Sequence, residues 1–503
     1  MSRDVPSSKY CASKAREILS NQYTGGKMGV SFLQGTFLMA QVDFADGRGH
    51  RGYASVALGL RTLQSAGLNK DKYASFLDPS EAEGRRRITW AYFMLDRSYN
   101  ASRNYSLCLS DRHFTLPFPD PNSGPHGVGE SRSIGTLHDG PGKQGEKVDH
   151  GIMACLLRLY ALWGKATDFV FGPLDRDALP PWQAGSAFAA LESEWLQFET
   201  QFADQHRYIN VDFARRAREE PNPRAYLSTW LCVQFLFHSI QCLLHHPFVI
   251  MTKLRHMNIN ISATFLQKSH ENSLLHSRWI ARFVKETSDV TFALYDPFLG
   301  YLAAIAATIQ LEHTVSKNPR VALQVNNEFR TLVGFMAQLS THWESMQVLV
   351  DRVNELAARH RNYGSLYYNR EGYSGALSSM PTPSNIPRMS VEDEALMWDI
   401  FDFGSSCTTA ETTHLGDLLR PSGQRTGARF PESPFATPAQ GTSRDRSEYQ
   451  RVPDASTSFP DQRTSEAVGD PISEWPLPDA NDGFWMPDIP EWLILGTDMG
   501  QDL

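Results

Sequence analysis

The chain has 503 residues, of which 41% are hydrophobic, and a formal net charge of −8 at pH 7. This length and composition can fill a sizeable core, but the negative charge excludes a protein that coats nucleic acid over most of its surface, because phosphate binding needs a concentrated positive field. The six cysteines include no C-x-x-C pair, and no signal peptide or uninterrupted membrane-length apolar run occurs, so we expect a soluble intracellular protein without structural zinc or disulfides.

Helical periodicity begins close to the N-terminus. The stretches 27–46 and 52–68 carry apolar residues at three- and four-residue steps, and in the second Val56, Leu60 and Leu63 share one face. Gly67 stands where such a helix would stop. The pattern predicts two packed helices joined by a turn.

A run of three arginines precedes the apolar stretch 88–99: Arg85, Arg86 and Arg87. Asp78 can cap a helix in which Glu81 completes a capping box. Glu81 and Glu83 each lie four residues before an arginine of the run, a spacing worth roughly 0.2 to 0.5 kcal/mol per pair. These pairs favour the entrance of a structural helix over a nucleic-acid or nuclear-import patch, for which short basic runs are weak signals.

The stretch 119–148 is rich in Gly, Pro and Ser and has no periodicity, which predicts a flexible insertion. Helical patterns resume at 150–170, 186–202, 223–250, 271–290, 297–315 and 321–360, and several of them lack a polar face. So many adjoining apolar helices predict one large all-α domain over residues 1–363, with no repeat of fixed period.

One helical face imitates a metal site, because His238, Cys242 and His245 or His246 follow one another at three- and four-residue steps. Phenylalanines and leucines surround these residues, so buried histidines with internal partners are the favoured interpretation. No metalloprotease spacing, terpene-cyclase aspartate cluster or assembled nucleophile and base was found. The sequence therefore predicts no metal, no cofactor and no enzyme activity.

Three motifs in the first half of the domain carry a family resemblance: "GYASVALGLRTLQSAGL", "EAEGRRRITWAYFMLDR" and "LSDRHFTLPFPD". In order and spacing they resemble the regulatory middle domain of fungal binuclear zinc-cluster transcription factors. "LLHHPFVI" and "DPFLGYLAAIAATIQLEH" are similar to later helices of that domain, so the resemblance covers roughly residues 10–360. The positions that match the family's motifs, and to which the resemblance gives a structural role, are Glu81, Glu83, Arg85, Arg86, Arg87, Asp96, Arg97, His246 and Pro247. His246 stands where the family often has Arg.

The resemblance implies regulation of transcription in a nucleus, with the domain acting as an inhibitory, effector-sensing or dimerising module. The family's six-cysteine zinc cluster is absent from this sequence. DNA is therefore expected to be reached through a partner, or directly only if a missing N-terminal region is restored.

Beyond residue 364 the composition shifts to Ser, Pro, Thr and Gly, which predicts a disordered tail over 364–503. Two segments, 391–403 and 464–503, set aromatic and aliphatic residues among acids, and the second carries nine acidic residues without Lys or Arg. This pattern is typical of a disordered activation domain that binds coactivators. The candidate activation residues are Trp398, Phe401, Phe484, Trp485, Trp492 and Leu493.

The sequence thus predicts an all-α transcription regulator with a disordered acidic C-terminal tail. A tail whose tryptophans dock back onto the helical domain is the alternative for the acidic segments. The alternative for the whole chain is a helical small-molecule-binding or catalytic protein without a transcriptional role.

Overall fold

The structure is a computed structural model that describes residues 8–70, 77–99, 102, 105–120, 135–139, 149–173, 175, 177–257, 259–314, 319–360 and 389–408. All of them lie in one compact unit. Across these ranges the regular structure is helical and no strand occurs, which confirms the predicted all-α class.

Fourteen helices precede residue 361 in the described ranges, and we call them the helical body. They are α1 (Ser8–Thr24), α2 (Val30–Ala45), α3 (Gly49–Ser65), α4 (Pro79–Tyr99), α5 (Ile152–Phe171), α6 (Ala187–Gln201), α7 (Tyr208–Val211), α8 (Phe213–Glu219), α9 (Arg224–Leu244), α10 (Pro247–Arg255), α11 (Ala263–Asp289), α12 (Pro297–His313), α13 (Pro319–Ser340) and α14 (Glu344–His360). Two further helices follow, α15 (Val391–Phe401) and α16 (Phe403–Ser406).

Helix α12 lies at the centre of the body and packs against α9, α11, α13 and α14. Its sequence has no charged residue before Glu312, so every face can be buried, and Phe298, Tyr301 and Ile305 are almost completely inaccessible to solvent. Asp296 caps the helix by accepting a hydrogen bond from the Phe298 backbone N–H at 2.9 Å. Helix α12 is therefore the buried centre against which the surrounding helices pack.

Helices α2, α3 and α4 pack as the N-terminal periodicity predicts. Gly67 adopts φ of +69° just after α3, which is the left-handed conformation that ends a helix. The Tyr92 hydroxyl of α4 donates to the Leu33 carbonyl of α2 at 2.9 Å. On α3, a Cβ at Gly59 would overlap the Tyr92 ring, so glycine is required for these three helices to approach one another.

The apolar stretch Arg224–Arg255, which contains α9 and α10, is long and apolar enough to cross a bilayer by length and composition. In the fold, 83% of its most apolar window is buried. This burial is the behaviour of a core helix of a large helical domain.

The structure corrects the predicted disorder of the tail at residues 389–408, while residues 361–388 lie outside the described residues. Residues 389–408, which we call the acidic segment, form α15 and α16 and bury Phe401 and Phe403 completely. Acidic residues occupy only the first turn and the outer positions of α15, so its apolar side chains are free to pack on the body. The remaining tail, 409–503, and most of the predicted insertion at 119–148 lie outside the described residues.

Candidate functional site

The arginine run of α4 is engaged by acidic side chains of its own helix. Arg85 contacts Glu81 at 2.6 Å, as the spacing predicts. Glu83 receives Arg86 at 2.5 Å and Arg87 at 2.8 Å, and its carboxylate also accepts the Asp120 backbone N–H at 3.2 Å.

Burial decides between the two interpretations of this run. The side chains of Arg86 and Arg87 are only 13% and 12% exposed, so their charges are largely committed to Glu83. A phosphate-binding surface needs cations that face solvent. The run is therefore part of the internal structure of α4, and Glu83 also fastens the chain at Asp120 to this helix.

Asp96 and Arg97 form the second matched motif and are both buried at the end of α4. Arg97 contacts Asp111 at 2.5 Å, donates to the Leu109 carbonyl at 3.0 Å and lies over the Phe93 ring at 3.5 Å. Burial raises the pKa of Asp96, while neighbouring Arg97 and the Cys108 N–H favour its ionised form. The pair holds the stretch around Leu109 against α4, which is a structural role.

His246 and Pro247 lie where α9 ends and α10 begins. The His246 ring accepts a hydrogen bond from the Phe248 N–H at 3.2 Å and thereby caps α10, while Pro247 occupies its first turn. The other ring nitrogen lies 3.0 Å from the Thr308 hydroxyl of α12. Burial lowers the pKa of His246 to about 3, so the ring is neutral at physiological pH.

The face that imitates a metal site is divided among separate partners. The His238 and His276 rings face each other with their Nδ1 atoms 2.8 Å apart. His245 lies 3.2 Å from the Glu192 carboxylate, and burial raises the pKa of the Cys242 thiol. Within the described part of the chain, no three His, Cys, Asp or Glu side chains are placed to hold an ion.

The acidic segment lies in an aromatic groove of the helical body. Phe401 stacks on Phe248 with ring centroids 5.8 Å apart and meets His246 edge-on at 4.9 Å. Trp398 contacts Phe248 at 5.0 Å. Phe403 stacks on Tyr301 at 4.8 Å. Two residues predicted to bind a coactivator, Trp398 and Phe401, therefore pack inside the chain's own domain.

Three arginines of the body contact both ends of the acidic segment. Arg255 of α10 contacts Glu394 at 3.2 Å, and Arg359 of α14 contacts Asp393 at 3.3 Å. These contacts lie at the N-terminus of α15, where acidic side chains also complement the helix dipole.

At the other end, Arg352 of α14 donates to the Asp399 carbonyl at 2.9 Å and to the Ser406 and Ser405 hydroxyls at 2.8 and 3.1 Å. Sequence reasoning missed the three arginines. The seven-residue spacing of Arg352 and Arg359 puts both on one helical face and was the available signal.

Close backbone contact fixes the end of the segment. A Cβ at Gly404 would overlap the Tyr53 hydroxyl, which is held in place by donating to the Tyr99 carbonyl at 2.8 Å. A Cβ at Gly49, the first residue of α3, would overlap Thr408 and the Cys407 carbonyl. The groove thus accepts one placement of α16 and tolerates no added methyl group there.

Four predicted activation residues, Phe484, Trp485, Trp492 and Leu493, lie outside the described residues. The structure therefore brings Trp398, Phe401 and His246 together in the aromatic groove. The α4 motifs lie away from these three side chains. The role of the distal acidic stretch 464–503 stays a prediction.

Comparison with known proteins finds similarity to fungal transcription regulators. A model of the fungal specific transcription factor domain matches residues 7–171. The chain is 22% identical over 364 residues to the Zn(2)-C6 fungal-type transcription factor FTF1c of Fusarium oxysporum, and 22% identical over 414 residues to FTF2 of the same organism. An uncharacterized transcriptional regulatory protein of Schizosaccharomyces pombe is 20% identical over 292 residues.

Coverage of these relatives is unequal. The matches take in 68%, 77% and 54% of this chain but only 38%, 35% and 35% of the respective relatives. The chain thus spans well under half the length of the curated relatives it matches. No solved structure matches the chain.

Proposed function

We propose that the chain is a nuclear transcription regulator of the fungal-specific transcription factor domain family, whose acidic C-terminal stretch recruits coactivators, because a model of that domain matches residues 7–171. The family match is the observation that carries the proposal. The relatives' names agree with it, since they describe transcription factors and a transcriptional regulatory protein rather than enzymes.

The helical body is proposed to regulate and the distal tail to activate. The arginines of α4 are taken up by Glu81 and Glu83, which argues against assigning DNA contact to that run. We propose that DNA is reached through a partner chain or through an N-terminal zinc cluster, because these 503 residues contain no C-x-x-C pair. A second copy and a small-molecule effector are further proposed partners.

Activation is assigned to residues 464–503. Nine acids without a lysine or arginine surround Phe484, Trp485, Trp492 and Leu493, and such acids keep aromatic side chains soluble until an apolar groove accepts them. The earlier acidic segment is folded onto the body, so the tail tested for activation starts after residue 408.

The experiment fuses residues 409–503 to an unrelated DNA-binding domain and measures a reporter in fungal cells. We expect strong activation, and we expect Trp485→Ala together with Trp492→Ala to reduce it at least fivefold. The matched control carries Asn481→Ala and Thr497→Ala, which change neither acids nor aromatics and are expected to leave the signal intact. A silent fusion would contradict the activation proposal.

A further inference from the structure

We propose that the acidic segment, residues 389–408, is a detachable clasp. Docked, it fills the aromatic groove of the helical body; detached, it presents Trp398 and Phe401 on an acidic helix to a coactivator groove that is apolar and rimmed by basic residues. This inference deepens the proposed function and rests on it, because it names the contact through which the body holds an activating segment silent.

The chemistry of the segment suits two alternative partners. Helix α15 carries Glu392, Asp393 and Glu394 in its first turn, while Met397, Ile400 and Phe401 are buried against the body. An amphipathic helix that lays an apolar face into a groove is a general recognition mode, and a rim of opposite charge sets its orientation. The body already offers such a groove, with Arg255 and Arg359 at its rim.

Polar contacts hold both ends of the segment, on either side of its buried apolar side chains. Arg255 and Arg359 hold the start of α15, Arg352 holds its end and α16, and the Tyr301 hydroxyl donates to the Phe401 carbonyl at 2.8 Å. Another acidic partner or a competing basic surface can replace ionic and hydrogen-bonded contacts of this kind. Interfaces between separable parts of one chain are more polar than obligate cores for this reason.

The connection to the body permits detachment. The contact between Arg359 and Asp393 brings the end of α14 next to the start of α15. Residues 361–388, which number 28 by position, join these adjacent points. At about 3.3 Å per residue, a stretch of that length can reach roughly 90 Å when extended. The segment can therefore leave its groove while α14 keeps its place.

Burial makes the docked state the default. Phe401 and Phe403 are fully buried, so the detached state is rare until a partner binds it, and that partner shifts the population by its preference for the detached form. A coactivator that accepts Trp398 and Phe401 has this preference, because the same side chains cannot occupy both grooves at once.

The test uses Gly404→Ala in the full chain. The added methyl group meets the Tyr53 hydroxyl and displaces α16 without altering any acid or aromatic residue of the segment. Gly84→Ala is the matched control, since a Cβ there has no neighbour within 4 Å. A second variant, Arg255→Ala with Arg359→Ala, loosens the other end and leaves the aromatic groove intact; Arg215→Ala, an exposed arginine paired with Asp212, is its control.

Hydrogen exchange of the purified full chain is the first readout. We expect the amides of α15 and α16 to exchange at least tenfold faster in Gly404→Ala and in the double arginine variant, with α9 and α12 unchanged and both controls like the wild type. If α15 and α16 exchange only together with α12 in every variant, the segment is an inseparable part of the core and the proposal is overturned.

Reporter activation by the full chain, fused to an unrelated DNA-binding domain, is the second readout. We expect each loosening variant to raise the signal at least threefold and Trp398→Ala with Phe401→Ala to abolish the gain. No gain, or a gain that survives loss of both aromatics, overturns the coactivator role. A silent 409–503 fusion would contradict the general activation proposal alone, because that stretch is the same in every full-chain variant and the readouts here are differences between those variants.

Discussion

At the residue scale, the family motifs act through buried polar contacts. Arg97 has no exposed surface and bridges Asp96, Asp111 and a backbone carbonyl. His246 has none either and joins α10 to α12 through Thr308. Buried polar groups must be satisfied, and such networks specify one arrangement of the helices. Arg97 therefore holds the stretch around Leu109 against α4, and only His246 of the two also contacts the acidic segment, through Phe401.

His246 should make the stability of the domain depend on pH. Its pKa in the folded chain is about 3, below the ordinary value of 6.5, because burial opposes the charged ring. The contribution is fully present above about pH 6.5 and is lost as the pH falls toward 3, since the unfolded chain then binds the proton. We expect the loss at pH 5.5, relative to pH 7.5, to be roughly 1 kcal/mol.

Urea unfolding of the wild type and His246→Gln at both pH values measures this effect. Glutamine does not titrate, so the variant should lose about 1 kcal/mol less between pH 7.5 and 5.5, although its stability at pH 7.5 is lower. Other buried histidines, including His276 and His313, remain in both proteins and provide the common background. Identical pH dependence in the two proteins would show that His246 is not the titrating group.

At the element scale, glycines set how closely the helices approach. Gly59→Ala should place a methyl group against the Tyr92 ring between α3 and α4 and cost about 2 kcal/mol, as overpacked core sites do. Gly84→Ala, on open helix surface, should instead stabilise by roughly 0.5 to 1 kcal/mol through helix propensity. Chemical denaturation compares them, and equal effects at the two sites would contradict the packing argument.

Some helices could be predicted from local signals in the sequence, and others could not. Periodicity and caps predicted α3 and α4, because an amphipathic face, a capping Asp78 and a terminal Gly67 are local signals. The same logic failed at 391–403, where Asp393 and Glu394, two of the acids that suggested an exposed segment, pair with Arg359 and Arg255. Those partners come from helices far away in the chain, and composition carries no information about a partner that tertiary packing supplies.

At the scale of the whole molecule, the folded domain continues past the composition boundary at residue 364. The order of the chain suggested a helical domain followed by a tail, yet the Tyr301 hydroxyl of the buried helix α12 donates to the Phe401 carbonyl. The body's aromatic groove, with Phe248, Tyr301 and Tyr99, is thus covered by a segment that begins after 28 intervening positions. The folded part of the chain accordingly includes residues 389–408.

A chain ending at residue 363 should therefore keep its helices but expose the groove. Burying each large aromatic side chain is worth about 1.5 to 3 kcal/mol, so loss of Trp398, Phe401 and Phe403 should lower Tm by roughly 10 °C or more and create binding sites for the dye ANS. A chain ending at 408 is the control and should match the full chain in both Tm and ANS binding.

A synthetic peptide of residues 389–408 should restore Tm and remove dye binding when added to the chain ending at 363. A peptide with Trp398→Ala and Phe401→Ala should do neither. Equal Tm values for the chains ending at 363 and 408 would contradict the prediction that residues 389–408 stabilise the helical body, because their aromatic contacts would then contribute nothing measurable to the stability of the fold.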